Sequence, residues 1–89
     1  MRLVIAAPAN GAILKDALKA HLQNDPRVSS LVDLSSPEGT YPQLSFAAAE
    51  EVAAGRADRA LLICGTGVGT AIAANKVRGI RAATAHDLL

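Results

Sequence analysis

One short segment of the sequence combines a reactive side chain with a loop that could hold an anion. Cys64 ends an apolar run, and Gly65-Thr66-Gly67-Val68-Gly69 follows it, directly before a predicted helix. Glycine at alternate positions lets the backbone turn sharply and approach a ligand closely. Free N–H groups at a helix start favour a phosphate, a carboxylate or a developing oxyanion. The segment therefore predicts an anion-binding loop, with a plain tight turn as the alternative.

Cys64 and Thr66 are the candidate catalytic side chains of this loop. A cysteine near a helix N-terminus can have a lowered pKa and act as a base or a nucleophile. Thr66 lies two residues further on, and its hydroxyl could hydrogen-bond the sulfur or a substrate oxygen. Two alternatives stay open: Cys64 as a small buried apolar residue, and Thr66 as a hydroxyl that satisfies the loop backbone.

The elements that must position these residues alternate between strand and helix. Apolar runs predict strands at 3–7, 28–34, 59–64 and 80–85, and helical spacing with capping signals predicts helices at 12–23, 41–55 and 70–76. This alternation is typical of a parallel sheet with helices on both faces and right-handed crossovers. We expect an α/β fold: a three-layer α/β/α, doubly wound, Rossmann-like sheet that is truncated after the fourth strand.

The two longer helices each carry an apolar stripe that would face the sheet. The stripe residues are Ile13, Leu14, Ala17, Leu18 and Leu22 in the first helix and Leu44, Ala47, Ala48 and Val52 in the second.

Ligands in such a sheet bind beyond the carboxyl ends of the strands. His86 and Asp87 follow the fourth predicted strand at this edge, and Tyr41 begins a helix there. Each could contact a substrate. His86 and Asp87 could equally be a solvated strand end, and Tyr41 a hydrophobic staple or an interface contact.

The length and composition indicate one small domain with a thin core. The chain has 89 residues, of which 51% are apolar, but it holds one Phe, one Tyr and no Trp. Such a core favours a partner subunit or further chain. A doubly wound sheet usually has more than four strands. We therefore expect residues 1–89 to be the N-terminal part of a longer domain, and a four-stranded domain completed by dimerisation is the alternative.

Charge and cysteine content argue against several classes of protein. The net charge is +1, without a basic stripe, which gives no sign of a nucleic-acid partner. The single cysteine forms no internal disulfide, and the apolar run at the start is too short for a secretion signal or a membrane span. We expect a cytoplasmic protein with no membrane partner. No Cys/His cluster has zinc spacing, so we expect no metal.

Nucleotide binding is the rival interpretation of the glycine loop. The sequence lacks the Gly-Lys-Ser or Gly-Lys-Thr of a P-loop. A Rossmann fingerprint would need G-x-G-x-x-G after the first strand, whereas this loop follows the third, with Thr70 where the last glycine should fall. Asp87 lies about 20 residues on, as a ribose-binding acid would. A nucleotide-binding domain therefore stays open as a weaker alternative.

The stretch Leu61-Leu62-Ile63-Cys64-Gly65-Thr66-Gly67-Val68-Gly69, followed by Ile72–Val77 and Gly79–Ala82, closely resembles the family of type-B ribose-5-phosphate isomerases. That family includes the galactose-6-phosphate isomerase subunits and the actinobacterial erythrulose-phosphate isomerases. The likeness reaches back to Gly11 and covers nearly the whole chain. Residues 57–67 and 84–87 look most like the actinobacterial branch.

The resemblance implies an aldose–ketose isomerisation of a phosphorylated sugar, with no metal or organic cofactor. The residue matching Cys64 is, in one branch, the base that moves a proton between C1 and C2 through an enediolate. Thr66 matches the hydroxyl that assists it, and Tyr41 matches a substrate-contacting tyrosine. A second branch has a glutamate at the position of Thr70, so threonine there favours the cysteine branch. The amides implied in the anion hole for the enediolate oxygen belong to Gly65, Gly67, Val68 and Gly69.

The resemblance also implies a homodimer or a higher homo-oligomer, with active sites at the subunit interface. Two departures from the family pattern matter. The family's sugar-binding Asp, often followed by His, is replaced by Pro8 and Ala9, whose side chains cannot hydrogen-bond. Asn10 is the nearest polar substitute, and His86 is a further candidate for contact with the sugar. The family's ring-opening histidine and phosphate-binding arginines lie beyond residue 89.

These departures leave an alternative function open: a catalytically impaired partner subunit or a sugar-phosphate-binding protein of the same family. The residues that would gauge the sugar are replaced here or lie outside the sequence. Ribose, allose, galactose and erythrulose phosphates are therefore equally compatible with it.

Overall fold

The computed structural model describes residues 1–36 and 38–85. Three strands alternate with three helices, and a short 3₁₀ turn at Ala9–Gly11 precedes the first helix. The elements are β1 (Arg2–Ala6), α1 (Ala12–Gln23), β2 (Ser30–Asp33), α2 (Tyr41–Ala53), β3 (Arg59–Leu62) and α3 (Val68–Asn75). The strands form a parallel sheet in the order β2, β1, β3. The α/β class and the parallel Rossmann-like sheet are as predicted.

Strand β1 is the buried centre of the sheet, and its two faces hold two separate apolar clusters. Val4 packs with Ala48 of α2 and with Ala57. Ile5, the next residue, packs with Ile63 and with Leu18 of α1. Because successive side chains of a strand point to opposite faces, α1 covers one face and α2 the other. This confirms the predicted three layers.

Local capping chemistry fixes where α2 begins and ends. Thr40 and Gln43 form a capping box, in which the Thr40 amide donates to Gln43 Oε1 at 3.2 Å. The box satisfies amides that lack intrahelical partners, so the helix begins at Tyr41 as predicted. Gly55 follows the last turn with φ +78°, a left-handed conformation that commonly ends a helix.

The fourth predicted strand, at 80–85, is wrong, because these residues form neither strand nor helix. The side chain of Asn75 occupies both backbone groups of Ala82: Nδ2 donates to the carbonyl at 2.9 Å, and Oδ1 accepts from the amide at 2.7 Å. The Thr84 hydroxyl donates to the Gly67 carbonyl at 3.3 Å. The segment is therefore held by side chains instead of a strand ladder, and a groove of about 750 Å³ lies between it and β3.

The apolar stripes are only partly buried. In α2 the buried residues are Leu44, Ser45, Ala48 and Ala49, so the prediction for Ala47 is wrong. The helix packs against α3 as well as the sheet, which moves its buried face. In α1, Ile13 is 90% exposed, and Leu14 and Ala17 are exposed too. No residue within the described ranges covers that end of the stripe, whereas Leu18 packs on the sheet.

A carboxylate at the end of β2 joins the sheet to α1. Asp33 Oδ2 lies 2.9 Å from Lys15 Nζ and 3.2 Å from Lys19 Nζ. Asp33 Oδ1 accepts the Ser35 amide at 2.9 Å, and Ser35 Oγ accepts the Ala7 amide at 3.0 Å. Burial raises the pKa of Asp33, but the hydrogen bonds from Ser35 and both lysines outweigh it. The pKa of this carboxyl therefore lies well below its ordinary value.

Replacing Asp33 by asparagine should lower the free energy of unfolding by about 1.5–3 kcal/mol at neutral pH, since hydrogen bonds to charged groups are worth that much. A lowered folded-state pKa stabilises the protein above the ordinary carboxyl pKa of about 4. That contribution is lost as pH falls towards the folded-state value. Urea denaturation of wild type and Asp33→Asn should therefore show a smaller difference at about pH 3 than at about pH 7.

The matched control is Asp16→Asn, because the Asp16 side chain is 69% exposed and lies 3.4 Å from Lys15 Nζ. Its effect should stay within about 0.5 kcal/mol at both pH values. An Asp33→Asn effect that is equal at the two pH values would contradict the account of this carboxylate.

Candidate active site

The glycine loop turns sharply between β3 and α3. Gly67 caps α3 with φ +81°, a left-handed conformation that glycine adopts without steric cost. Its amide donates to Cys64 Sγ at 3.0 Å. The next amide, that of Val68, donates to Thr66 Oγ1 at 3.3 Å. The turn thus aims successive loop amides at the two candidate catalytic side chains.

The Cys64 thiol is half-buried and accepts a hydrogen bond from the Gly67 amide. Burial raises the pKa of this thiol, but the Thr70 hydroxyl and the amides of Gly67, Thr66 and Thr70 outweigh it. The pKa therefore lies below the ordinary value for cysteine. Because the thiolate is the reactive form, the lowered pKa favours the form of Cys64 that can accept a proton.

A small open cavity of about 420 Å³ lies beside Cys64. This volume is within the usual range for a small-molecule site. The wall comes from the end of β1, the start of α2 and the loop after β3, and its residues are Pro8, Asn10, Tyr41, Cys64, Gly65, Thr66 and Gly69.

Gly69 lets the loop backbone approach a side chain of this cavity closely, whereas Gly65 has ordinary room beside Asn10. A Cβ on Gly69 would lie 2.6 Å from Tyr41 Cε1 and 3.0 Å from the Tyr41 hydroxyl. A Cβ on Gly65 would lie 3.5 Å from Asn10 Nδ2. Tyr41 is 46% exposed and Asn10 is exposed, so both can meet a ligand from solvent.

The structure brings most of the predicted site residues together. Cys64, Thr66, Gly65, Gly69, Tyr41 and Asn10 share the cavity. Gly67 and Val68 lie in the same loop, but their amides already have partners within it. His86 and Asp87 lie outside the described residues. The catalytic and binding roles of all these residues stay predictions.

Two residues of the site were missed by sequence reasoning. The sequence shows Pro8 only as a departure from a family pattern, yet Pro8 forms part of the cavity wall. It shows Thr70 only as a replacement for a glycine or a glutamate, yet Thr70 is buried beside Cys64. Its position offered a signal: side chains in a helix lean towards the N-terminus, and Thr70 lies in the first turn of α3.

Comparison with known proteins identifies the family of the chain. A family model described as Ribose/Galactose Isomerase matches residues 3–89. The chain belongs to this family. D-erythrulose-4-phosphate isomerase 2 of Mycolicibacterium smegmatis is 52% identical over 92 residues, which cover 99% of the chain and 60% of that protein. Ribose-5-phosphate isomerase B of Escherichia coli is 44% identical over 78 residues, which cover 86% of the chain and 52% of that protein.

Solved structures give the same result. The type B ribose 5-phosphate isomerase of Trypanosoma cruzi superposes with a TM-score of 0.88 at 31% identity, covering 98% of this chain and 60% of that one. Ribose-5-phosphate isomerase B of Clostridium thermocellum gives 0.82 at 37% identity, covering 91% and 55%. The resemblance drawn from the sequence is confirmed. The chain spans 60% or less of the length of these four relatives.

The part of the chain that the structure describes has neither a membrane-spanning helix nor a cluster of metal ligands. No helix there has the length and apolar content needed to cross a bilayer. No three His, Cys, Asp or Glu side chains within residues 1–36 and 38–85 come together as a metal site would require.

Gly69→Ala should displace the Tyr41 ring, because the new Cβ would overlap it. The chain has one tyrosine and no tryptophan, so tyrosine fluorescence reports Tyr41 alone. We expect stronger acrylamide quenching of that fluorescence and a loss of about 1–3 kcal/mol of stability.

Gly65→Ala is the matched control. Neither Gly65 nor Gly69 has a left-handed φ, so alanine tests available space alone. The nearest atom to a Cβ on Gly65 is 3.5 Å away, an ordinary contact, and quenching should stay at the wild-type level. If Gly69→Ala also left the quenching unchanged, the placement of the Tyr41 ring over the loop would be wrong.

Proposed function

We propose that this chain carries the base of an aldose–ketose isomerase that acts on a phosphorylated sugar. Cys64 transfers a proton between C1 and C2 of the open-chain sugar through an enediolate. The observation that supports this best is the hydrogen bond from the Gly67 amide to the Cys64 sulfur beside a small open cavity. Membership of the ribose/galactose isomerase family supports the reaction class.

The proposed isomerisation needs one side chain of the protein as the base that acts on carbon, and it needs no external oxidant. The Cys64 thiolate removes the proton from the hydroxyl-bearing carbon next to the carbonyl, which gives the enediolate. The thiol then returns a proton to the former carbonyl carbon, and the hydroxyl proton of the first carbon passes to the former carbonyl oxygen. The first carbon is thereby oxidised as the other is reduced. General bases work best when their pKa lies near the operating pH. The pKa of the Cys64 thiol is lowered, which brings it closer to the operating pH than that of an ordinary cysteine.

Thr66 is proposed to act on the substrate oxygen. Its Oγ1 accepts from the Val68 amide. Because a hydroxyl both accepts and donates, the Thr66 hydrogen remains available for a substrate. The amides of Gly65 and Gly69, whose residues line the cavity, are proposed to stabilise the enediolate oxygen.

The sugar hydroxyls are proposed to meet Asn10 and the Tyr41 hydroxyl, which share the cavity with Cys64. His86 is proposed as a further contact. The names of two relatives give erythrulose 4-phosphate and ribose 5-phosphate as their substrates. We propose a four- to six-carbon sugar phosphate as the substrate of this chain.

A homodimer or higher homo-oligomer is proposed as the working form. Val68 and Ile72, one turn apart on α3, are each 57% exposed. Val68 lies in the glycine loop and Ile72 lies one turn after it, so a partner subunit that covered both would lie next to the cavity.

A second candidate function is a catalytically impaired partner subunit or sugar-phosphate-binding protein. The observation that favours it is Pro8 in the cavity wall, where it contributes no hydrogen-bonding side chain. Such a subunit would show activity only in the presence of a second polypeptide.

The test is exchange of the C2 proton with solvent, followed by NMR on a panel of four- to six-carbon sugar phosphates. Removal of a general base should slow exchange by about 10²–10⁴-fold in Cys64→Ala. Ser36→Ala is the control. It removes a hydroxyl from an exposed residue that does not line the cavity, and the variant should catalyse exchange at the wild-type rate.

Exchange at the wild-type rate in Cys64→Ala would refute the proposed base. Exchange that the wild-type chain shows only after a second family member is added would favour the impaired-subunit alternative.

A further inference from the structure

Thr70 carries a buried hydroxyl that makes no hydrogen bond to the rest of the described structure. The residue is 5% exposed, and its Oγ1 has no hydrogen-bond partner of suitable geometry among the residues that the structure describes. Most buried side-chain polar atoms do have a partner, so an unpaired hydroxyl points to a partner that exists in another state of the site.

The group beside this hydroxyl is the Cys64 sulfur. Burial raises the pKa of the Cys64 thiol, and the Thr70 hydroxyl is the foremost of the groups that lower it. A neutral thiol is a weak hydrogen-bond acceptor. An ionised acceptor forms bonds about twice as strong as a neutral one. The Thr70 hydroxyl therefore lacks a good partner while Cys64 is protonated and gains one when the thiol loses its proton to solvent.

The geometry separates Thr70 from Thr66, the other hydroxyl of the loop. Thr66 is exposed, lines the small cavity and accepts the Val68 amide. Thr70 is buried and does not line that cavity, but it shares the wall of the larger groove with Cys64. Thr66 thus borders both the small cavity and the larger groove, whereas Thr70 borders only the larger groove.

We propose that Thr70 is a positioning residue that holds the Cys64 sulfur in its ionised form by donating its hydroxyl hydrogen, while Thr66 serves the substrate. With the Gly67 amide on the same sulfur, the hydroxyl completes a set of donors around the thiolate. The proposal deepens the proposed function, on which its consequence for turnover rests. The ionisation of Cys64 can be measured without turnover.

The test is the pH dependence of the rate at which iodoacetamide alkylates the 89-residue chain, whose sole cysteine is Cys64. Thr70→Val keeps the shape of the side chain and removes the hydroxyl. We expect the midpoint of the profile to rise by about one pH unit in this variant, which corresponds to about tenfold slower alkylation below the midpoint. Thr70→Ser should restore the wild-type midpoint, which a purely structural role would not predict.

Two further variants complete the design. Thr70→Ala removes the hydroxyl with a smaller side chain and should raise the midpoint like Thr70→Val, so the test does not depend on one variant folding. Thr66→Val is the matched control and should leave the midpoint unchanged.

The titratable side chains that line these two spaces besides Cys64 are the same in every variant. Asp58, Arg59 and Arg81 line the shared groove, and Tyr41 lines the small cavity. An unchanged midpoint in Thr70→Val, or an equal rise in Thr66→Val, would overturn the proposal.

The alkylation profile of Thr70→Val and the C2-proton exchange of Cys64→Ala can fail independently of each other. Loss of C2-proton exchange in Cys64→Ala together with an unchanged Thr70→Val midpoint would leave the base in place and reject the role of Thr70. A raised midpoint together with wild-type exchange in Cys64→Ala would establish the thiolate contact and reject the base.

Discussion

The hydrogen bond from the Gly67 amide to the Cys64 sulfur is the contact on which the site depends. It exists because Gly67 adopts a left-handed conformation at the start of α3. A side chain at Gly67 would also collide with Thr84, since a Cβ there would lie 2.8 Å from Thr84 Cγ2. The first amides of a helix have no intrahelical partners. A strand, a glycine turn and a helix start therefore bring the Gly67 amide onto the Cys64 sulfur.

The sheet brings the residues of the cavity together around this loop. β1 is buried between its neighbours, so the ends of β1 and β3 are fixed side by side, and the capping box of Thr40 begins α2 close to both. Asn10, Tyr41 and Cys64 meet there although they are far apart in the chain. The Asp33 cluster ties the neighbouring edge to α1. Rigid elements thus position a site whose chemistry belongs to the loops.

Local signals predicted the local features well, because the physics that produces them is also local. The limits of α1, the capped start of α2 and the glycine turn all follow from residues that lie close together in sequence. Features that depend on a distant neighbour were not predictable in this way. The run at 80–85 has a strand-like pattern, but the pattern does not show that Asn75 would occupy the backbone of Ala82. The exposure of Ile13 and the burial of Thr70 likewise depend on what packs nearby.

The cavity beside Cys64 is proposed to bind a phosphorylated sugar. The most direct measurement is a titration of the ¹⁵N-labelled chain with four- to six-carbon sugar phosphates, followed through its backbone and side-chain amide resonances. The account predicts saturable shifts at Gly65 and Gly69 and at the side-chain amide of Asn10, with the Gly67 resonance responding through its bond to Cys64. Loop resonances that stay unchanged at saturating sugar phosphate, whether or not shifts occur elsewhere, would contradict it.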